Sequence, residues 1–264
     1  MIAAVRDYAI AAANWRHMLW LALGQLLNRY SGNNKLAVFV TFLEPVAVIT
    51  GLYVFRGLFK QNNPNYGTSL FLFYASGFMP FYVFFRISVR TRSSSTAPRS
   101  RLPGMTALDI YIATVALNAL IWITVMVVLF LAMWLNGIDQ ARPVSIVECS
   151  TAILLFIVLG AGVGMINNVI VRFLPFWTWL YSVMTRGLVL LSGVIMIVDL
   201  TPPWLRAWST VNPLSHGIEW FRLGLYGRYP HNTLDKAYLV EWALITLFLG
   251  FVLDRAALRQ LDNK

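Results

Sequence analysis

The sequence predicts an all-α, polytopic membrane protein with six transmembrane helices and both termini in the cytoplasm. Three observations lead to this fold class: a mean hydropathy of +0.65, a charged fraction of only 12%, and several long apolar runs. Ordinary globular domains carry about 25% charged residues, so this chain is too apolar for a typical water-soluble domain. Little sequence remains between the runs, and residues 1–264 are therefore predicted to form a single transmembrane domain.

Each apolar run is long enough to be a transmembrane helix. A span needs about 20 apolar residues, because roughly 30 Å of hydrocarbon is crossed at about 1.5 Å per residue. Lipid offers no hydrogen-bond partner to an open backbone amide, so the runs must be helical. The third run is long for one crossing, and the fourth and fifth form a tight hairpin. The predicted spans are approximately 36–59, 68–89, 106–135, 147–171, 176–198 and 237–256.

Basic residues are distributed unevenly between the two sides of the predicted membrane. Thirteen lie in the N-terminal segment, the loop after span two, the hairpin turn and the C-terminal tail, against seven on the other side. Cytoplasmic loops carry an excess of Lys and Arg, so both termini are predicted to be cytoplasmic. Basic residues beside spans also meet anionic lipid, which accounts for the net charge of +10 without a nucleic-acid partner.

Residues 14–30 are too short and too polar to span the bilayer, yet their apolar side chains share one helical face. Trp15 and Tyr30 fall on that face with four leucines at about 100° per residue, whereas Arg29 falls on the polar face. This pattern predicts an amphipathic helix in the cytoplasmic interface of the membrane. The alternative is a cytoplasmic extension of the first span.

The sequence lacks the motifs of several enzyme classes. No G-x-x-x-x-G-K-[ST] loop occurs, so the chain is not predicted to bind ATP phosphates by the usual loop. Neither a G-x-S-x-G elbow nor an H-E-x-x-H helix is present. A single cysteine, Cys149, excludes an internal disulfide, and no Cys/His cluster has metal-ligand spacing. The sequence therefore predicts no catalytic residue, metal or cofactor in this chain.

Residues 212–222, NPLSHGIEWFR, concentrate polar side chains just before the last span. His216 and Glu219 are three residues apart and could share a helical face. Two interpretations stay open. The two side chains form a proton relay or metal site, or they are a polar pair that satisfies each other and nearby backbone groups at the outer membrane surface.

Arginine and aromatic side chains inside the spans are the other candidates. Arg186 lies near the middle of span five, so it either pairs with another helix or points into a wet pathway. Trp177 and Tyr181 lie at the inner end of the same span, and Trp122 lies within span three. These rings are either interface anchors or surfaces on which sugar rings stack. The four residues are candidates for a translocation path.

The loop after span two, RTRSSSTAPRSRLPG at 90–104, is rich in Arg, Ser and Pro. It is either a solvated topology signal or a docking surface for a soluble partner that supplies the missing ATP site. The Arg/Ser/Pro composition alone does not decide between these two alternatives.

Three stretches give the chain a resemblance to a known family. They are LLNRY followed by FLEPVA, SGFMPFYVFFRIS in span two, and NPLSHGIEWFR, which is close to the pattern N-P-L-x-H-x-x-E-x-x-R. With these stretches in this order, most of the chain resembles the permease subunits of type-2 ABC exporters. The resemblance is closest to those for capsular polysaccharide and O-antigen, the KpsM and Wzm families.

The resemblance implies an assembly and a role for each segment. It implies a homodimer joined to two ABC ATPase subunits that carry ATP and Mg, with 14–30 as a cytoplasmic gate helix. It implies that 91–104 includes the ATPase-coupling helix and that 201–230 forms short re-entrant helices closing the outer end of the channel. The residues concerned are Trp15, Arg16, Arg29 and Tyr30 in the gate helix, Arg92, Arg99, Arg101 and Leu102 in the coupling loop, and Asn212, Pro213, His216, Glu219 and Arg222 in the outer gate motif.

The leading hypothesis is ATP-driven export of a lipid-linked polysaccharide, capsular polysaccharide first, across the bacterial inner membrane. The chain would be a multi-pass permease, and periplasmic or outer-membrane export proteins would be further partners. Two alternatives stay open. One is export of O-antigen, another lipid or a drug by a related permease. The other is an integral membrane enzyme that modifies glycans or lipids with His216 and Glu219.

Overall fold

The computed structural model describes residues 35–59, 63–91 and 107–262, and within these ranges it contains eight α-helices and no β-strand. Two single-turn 3-10 helices, Asp139–Ala141 and Val198–Leu200, lie in connections between them. The all-α prediction is confirmed for the described chain. The helices are α1 (Lys35–Leu58), α2 (Leu70–Thr91), α3 (Ala107–Leu135), α4 (Ile146–Phe173), α5 (Trp177–Leu191), α6 (Pro203–Val211), α7 (Pro213–Tyr226) and α8 (Lys236–Asp262).

Within the described ranges, four helices are long and apolar enough to cross a membrane. They are α2, α4, and the segments Ile110–Leu135 of α3 and Lys236–Ala257 of α8. These helices coincide with predicted spans two, three, four and six, so the prediction of a polytopic membrane protein is confirmed. Helix α1 covers the predicted first span with 24 residues.

The predicted fifth span is wrong at its C-terminal end. Helix α5 has 15 residues and ends at Leu191, whereas the predicted span continued to 198. At about 1.5 Å per residue this helix is about 22 Å long, shorter than the roughly 30 Å hydrocarbon core. The chain turns at Gly193 with a φ of 70°, which glycine adopts without the steric cost of a Cβ. The apolar residues that follow form a largely buried turn and not a continuation of the helix.

Helix α4 is the centre of the described fold and packs against α2, α7 and α8. Glycines on α4 let its neighbours approach closely, as small residues do in membrane helix packing. A Cβ added at Gly162 would lie 2.5 Å from the backbone nitrogen of Leu247 on α8. A Cβ at Gly160 would lie 2.9 Å from the carbonyl oxygen of Phe84 on α2.

Ion pairs connect the ends of these helices. Lys236 Nζ lies 2.9 Å from a carboxylate oxygen of Glu148 near the starts of α8 and α4. Arg172 Nη2 lies 2.9 Å from Asp254 Oδ1 near the other end of the same two helices. Helices α4 and α8 therefore run side by side in the same direction, with a paired charge toward each end. Pairing also offsets much of the cost of placing charges at membrane depth.

Helix α1 contacts α2 through an ion pair between Glu44 and Arg86. The Arg86 guanidinium also lies 5.1 Å from the ring centroid of Trp122, within the range of a cation–π interaction. Outside this region α1 exposes many apolar side chains, among them Val54 and Phe55. Helix α1 is therefore only partly covered by the rest of the described chain.

Candidate functional site

Helix α7, which carries most of the NPLSHGIEWFR stretch, lies inside the fold and not on its surface. Between Leu214 and Leu225 all residues except Leu223 are buried. Gly217 and Gly224 allow this packing, because an added Cβ would lie 2.5 Å from the Phe156 ring and 2.8 Å from the Cys149 backbone nitrogen, respectively. The polar residues of α7 must therefore find partners within the protein.

Asn212 and Pro213 form the start of α7. Asn212 is the N-cap, and its Oδ1 accepts a hydrogen bond of 3.1 Å from the backbone N–H of Leu214. Its Nδ2 donates a 2.9 Å hydrogen bond to Ser192 Oγ at the end of α5. Pro213 occupies the first turn, where its missing N–H costs nothing and its fixed φ suits the helix. These two residues fix the start of α7 against the end of α5.

His216 connects α6 to the start of α8. Its Nδ1 accepts a 3.0 Å hydrogen bond from the backbone N–H of Asp235. Its Nε2 lies 2.9 Å from the carbonyl oxygen of Thr210, and a carbonyl can only accept. With Nδ1 accepting, Nε2 is the ring nitrogen that donates to this carbonyl. The His216 ring also meets the edge of Tyr238, with centroids 5.0 Å apart.

Glu219 is 2% exposed, and its two carboxyl oxygens lie 2.8 and 3.0 Å from Thr233 Oγ1. Burial raises the pKa of the Glu219 carboxyl from its ordinary 4.5 to about 7, although the Thr233 hydroxyl opposes this shift. Glu219 and His216 bind different partners and not each other. Within the described ranges, no group of three His, Cys, Asp or Glu side chains is placed to hold a metal ion.

Replacing Glu219 by glutamine is expected to flatten the dependence of stability on pH. Because the folded-state pKa lies above the unfolded one, the protonated carboxyl contributes stability that is fully present below about pH 4.5 and lost as pH rises to about 7. A shift of that size corresponds to about 3 kcal/mol. As the pH is raised from 5 to 8, the melting temperature in detergent should fall for the wild type and change much less for Glu219→Gln.

The exposed Glu241 offers a matched control for this prediction. Glu241→Gln makes the same chemical change at a carboxylate outside the α7 core, so it should keep the pH dependence of the wild type. An equal slope of melting temperature against pH in wild type and Glu219→Gln would contradict the prediction.

Arg222 is 1% exposed and connects α7 to α2 and to the turn after α5. Its Nη1 and Nη2 donate 2.7 Å hydrogen bonds to the carbonyl oxygens of Gly193 and Val194. Its Nε donates to Ser76 Oγ on α2 at 3.1 Å, and the guanidinium lies 4.0 Å from the ring centroid of Phe73. No carboxylate of the described residues forms an ion pair with Arg222. Backbone dipoles and an aromatic face therefore stabilise this buried cation.

Trp220 connects α7 to the ion pair between Glu148 and Lys236 at the starts of α4 and α8. The indole Nε1 donates to the carboxylate of Glu148, which also accepts from Lys236. The Lys236 ammonium lies 4.7 Å from the Trp220 ring centroid. Helix α7 thus contacts α2, α4, α6, α8 and the turn after α5 through polar groups. The arrangement can hold these elements in a fixed relation, and it presents no nucleophile beside a general base.

The residues suggested as a translocation path are not brought together. Arg186 is exposed on α5, and its side chain has no hydrogen-bond or ion-pair partner among the described residues. Trp177 is half-buried and donates a 2.9 Å hydrogen bond to Asn167 Oδ1. Tyr181 and Trp122 are buried, the first bonded to Ser88 Oγ and the second stacked on Tyr82. The placement of Tyr181 and Trp122 therefore gives no support to their role as lining residues.

The structure adds partners that the sequence reasoning missed. Asp199 accepts hydrogen bonds from the backbone N–H groups of Asn232 and Thr233 and so connects the turn after α5 to the segment before α8. Gly77 lets α2 approach the same turn, because an added Cβ would lie 2.5 Å from the carbonyl oxygen of Val194. The one available sequence signal was the acid three residues before Pro202, and it does not identify a partner.

Two predicted segments lie outside the described residues. They are the N-terminal gate helix, with Trp15, Arg16, Arg29 and Tyr30, and the coupling loop, with Arg92, Arg99, Arg101 and Leu102. The roles assigned to them stay predictions.

Comparison with known proteins gives a consistent result. Residues 17–226 match the model of a protein family described as ABC-2 type transporter. The chain is 25% identical over 238 residues to the polysialic acid transport protein KpsM of Escherichia coli, covering 89% of this chain and 91% of that protein. It is 26% identical over 234 residues to the capsule polysaccharide export inner-membrane protein CtrC of Neisseria meningitidis serogroup A, covering 87% and 86% of the two chains.

Proposed function

The chain belongs to the ABC-2 type transporter family, and from this we propose that it is the membrane subunit of an ATP-driven exporter of lipid-linked capsular polysaccharide in the bacterial inner membrane. The resemblance stated from the sequence motifs is thereby confirmed at the level of the family. The observation that carries the proposal is similarity over nearly the full length of two proteins, one named for polysialic acid transport in Escherichia coli and one for capsule polysaccharide export in Neisseria meningitidis. A permease that spans the membrane and leaves hydrolysis to a partner needs no catalytic residue of its own.

We propose that the working unit contains two copies of this chain. Helices α1 and α5 expose apolar side chains, including Val54 on α1 and Val183 and Met184 on α5. Lipid alone could cover such residues, but Arg186 lies exposed among them near the middle of α5. An arginine facing lipid near the bilayer centre costs about 2.5–3.5 kcal/mol on insertion scales. The cost is avoided if this face of α5 meets a second copy or a water-filled path for the substrate.

In this proposal the chain crosses the membrane six times, α5 and the turn after it together forming the fifth crossing, with both termini in the cytoplasm, as the distribution of basic residues predicts. The short helices α6 and α7 then lie at the outer end, between the fifth and sixth crossings. Helix α7 is held by the contacts of Asn212, His216, Glu219 and Arg222 described above. It would therefore act as a rigid frame for the outer gate, and α6 would be its exposed part.

ATP hydrolysis is assigned to two separate ABC ATPase subunits. The sequence has no loop of the G-x-x-x-x-G-K-[ST] type, so the chain cannot hold ATP phosphates in that way. The segment 91–104 follows α2 directly and carries three arginines within ten residues, at 92, 99 and 101. We assign the contact with the ATPase to this segment, and the gating motion at the cytoplasmic surface to 14–30.

Replacing Arg101 or Leu102 by alanine is expected to uncouple the two subunits without preventing membrane insertion. The variants should insert and fold as the wild type does. The assembled complex should still hydrolyse ATP, but most of this hydrolysis should no longer drive export. The measurement compares export of the polysaccharide by cells with the ATPase activity of the purified complex for each variant. Arg259→Ala, a change at another predicted cytoplasmic arginine, is the control. Wild-type export by both loop variants would contradict this role for 91–104.

The experiment that tests the function is affinity purification of the tagged chain from its host in mild detergent. A co-eluting chain of ABC ATPase type, together with ATP hydrolysis in the eluate, is the expected result. Deletion of the gene should leave capsular polysaccharide inside the cell. A solitary chain, with no ATPase after cross-linking, would contradict the proposal.

Two other functions give different outcomes in the same experiments. A permease for O-antigen, another lipid or a drug would also co-purify with an ATPase, but its deletion would leave capsule export intact. A membrane enzyme that uses His216 and Glu219 would show activity as a purified chain without ATPase. The structure does not favour the enzyme, because His216 is occupied by two backbone groups and Glu219 by Thr233.

A further inference from the structure

Two cavities of different character meet at one arginine in the connection between α3 and α4. The first is an apolar groove of about 560 Å³ between these two helices. Val127 and Leu131 of α3 and Ile153 and Leu154 of α4 lie along it, with Phe221 of α7 also contributing. The groove arises because α3 and α4 make few direct contacts after the connection that joins them.

The second cavity, which we call the polar cavity, is more polar than the groove, although Val144 and Leu225 also line it, and has a volume of about 580 Å³. It lies beside the groove, between the segment that leads into α2 and the 3-10 turn after α3. Asp139 and Gln140 of that turn line it together with Thr68 and Tyr226. Gln140 is held in place, since its Oε1 accepts a 2.8 Å hydrogen bond from the backbone N–H of Thr68.

Arg142 lines both cavities. Its guanidinium is exposed and, among the described residues, has no hydrogen-bond or carboxylate partner. The carboxylate of Asp139 is also exposed and without a side-chain partner in the described part of the chain. Trp134 lies at the same end of the groove, where amphipathic rings are found at membrane–water interfaces. The mouth of the groove therefore carries one free positive and one free negative charge.

We propose that the groove and the polar cavity together bind one zwitterionic phospholipid. An acyl chain occupies the groove, which is lined almost entirely by carbon atoms, and the phosphate meets the Arg142 guanidinium. The ammonium of an ethanolamine-type headgroup then faces the Asp139 carboxylate in the polar cavity. With the proposed orientation this lipid belongs to the outer leaflet.

The charges at the mouth favour a zwitterionic lipid over an anionic one. An anionic lipid such as phosphatidylglycerol has a neutral glycerol in place of the ammonium and would leave the Asp139 carboxylate without a counter-ion, whereas an ethanolamine ammonium would match it. A second copy of the chain is a weaker candidate for the groove, because the unpaired Arg186 lies on α5 and not on α3 or α4. The bound lipid would hold α3 against α4 where the protein itself leaves a gap.

The test uses the full-length chain, delipidated in detergent and incubated with equal amounts of phosphatidylethanolamine and phosphatidylglycerol. Native mass spectrometry should detect one retained phosphatidylethanolamine in preference to phosphatidylglycerol. Arg142→Gln should lower the retained fraction about tenfold, because a charge-assisted hydrogen bond is lost. Arg228→Gln, which removes an exposed arginine outside both cavities, should bind as the wild type does.

A second pair of variants tests the groove without touching a charge. Val127 lines the groove, whereas its neighbour Val128 does not, and both are exposed. Val127→Trp should fill the groove and abolish lipid retention, while Val128→Trp should leave it unchanged. Both variants should elute as folded protein.

Three results would overturn the proposal. Equal retention of phosphatidylglycerol would remove the assigned role of the Asp139 carboxylate. Unchanged retention in Arg142→Gln or Val127→Trp would place the lipid elsewhere. Loss of the dimer and not of lipid in Val127→Trp would assign the groove to a second copy of the chain.

Discussion

Replacing Arg222 by alanine is expected to lower the free energy of unfolding by about 3–5 kcal/mol. The side chain is 1% exposed and donates hydrogen bonds to the carbonyl oxygens of Gly193 and Val194, and to Ser76. Without it, buried carbonyl groups of the turn after α5 lose their donors. At about 2–4 °C per kcal/mol, the melting temperature in detergent should fall by roughly 10 °C.

Lysine at position 222 should rescue little of this loss. Its single ammonium can keep the positive charge, but it cannot reproduce the planar fork that reaches several acceptors at once. Arg228→Ala is the control, because Arg228 is an exposed arginine two residues beyond the end of α7. That change should alter stability by less than about 0.5 kcal/mol. If Arg222→Lys were as stable as the wild type, positive charge alone, and not directed hydrogen bonding, would account for the stabilising effect of Arg222.

Arg222→Ala should also reduce export, and this effect can be separated from an effect on ATP hydrolysis by the partner subunits. Helix α7, α2 and the turn after α5 lose their common anchor, so the proposed outer frame loosens, whereas the proposed ATPase contact at 91–104 is not altered by the substitution. ATP hydrolysis by any complex that still assembles should therefore persist while export fails. Loss of ATP hydrolysis together with normal stability would instead assign Arg222 a role in communication between the subunits.

The positions of most helices could be predicted from the sequence because lipid imposes a simple rule. Apolar runs of sufficient length must be helical, and α2, α3, α4 and α8 each lie within a few residues of their predicted bounds. The same rule failed at the end of α5. Residues 192–198 are apolar enough to continue a span, but Gly193 adopts a positive φ and the carbonyl groups that follow bind Arg222. The end of α5 is thus stabilised by hydrogen bonds from Arg222, which lies far along the chain, and a hydropathy profile contains no information about such bonds.

The sequence singles out the stretch from Asn212 to Arg222 but does not predict its contacts, and its role as an outer gate stays a prediction. The motif from Asn212 to Arg222 could be singled out, and one interpretation of His216 and Glu219 was a structural polar pair. The structure places both residues in buried polar contacts, but with Asp235, Thr210 and Thr233 and not with each other. Such partners lie on other elements, and residue spacing along one helix cannot identify them.

Replacing Gly162 by leucine is expected to destabilise the protein by about 3 kcal/mol, because α4 and α8 touch at this residue with backbone against backbone. An added Cβ alone would lie 2.5 Å from Leu247 N and 2.6 Å from the carbonyl carbon of Thr246. Neither atom is a flexible side-chain end that could move aside. Helix α8 must therefore shift as a whole, and the ion pair between Arg172 and Asp254 should weaken with it.

Gly51 provides the matched control, since it is also a helical glycine in a predicted span but has no atom within 4 Å of an added Cβ. Gly51→Ala should be neutral or stabilising by up to about 1 kcal/mol, as helix propensity predicts, whereas Gly162→Ala should already destabilise. Melting temperatures in detergent distinguish the expected stabilisation by Gly51→Ala from the expected destabilisation by Gly162→Ala. Adding Asp254→Asn to Gly162→Leu should cost less than Asp254→Asn alone, because the displaced α8 no longer holds the ion pair. Additive losses would show that α8 stays in place and that α4 absorbs the extra volume by bending.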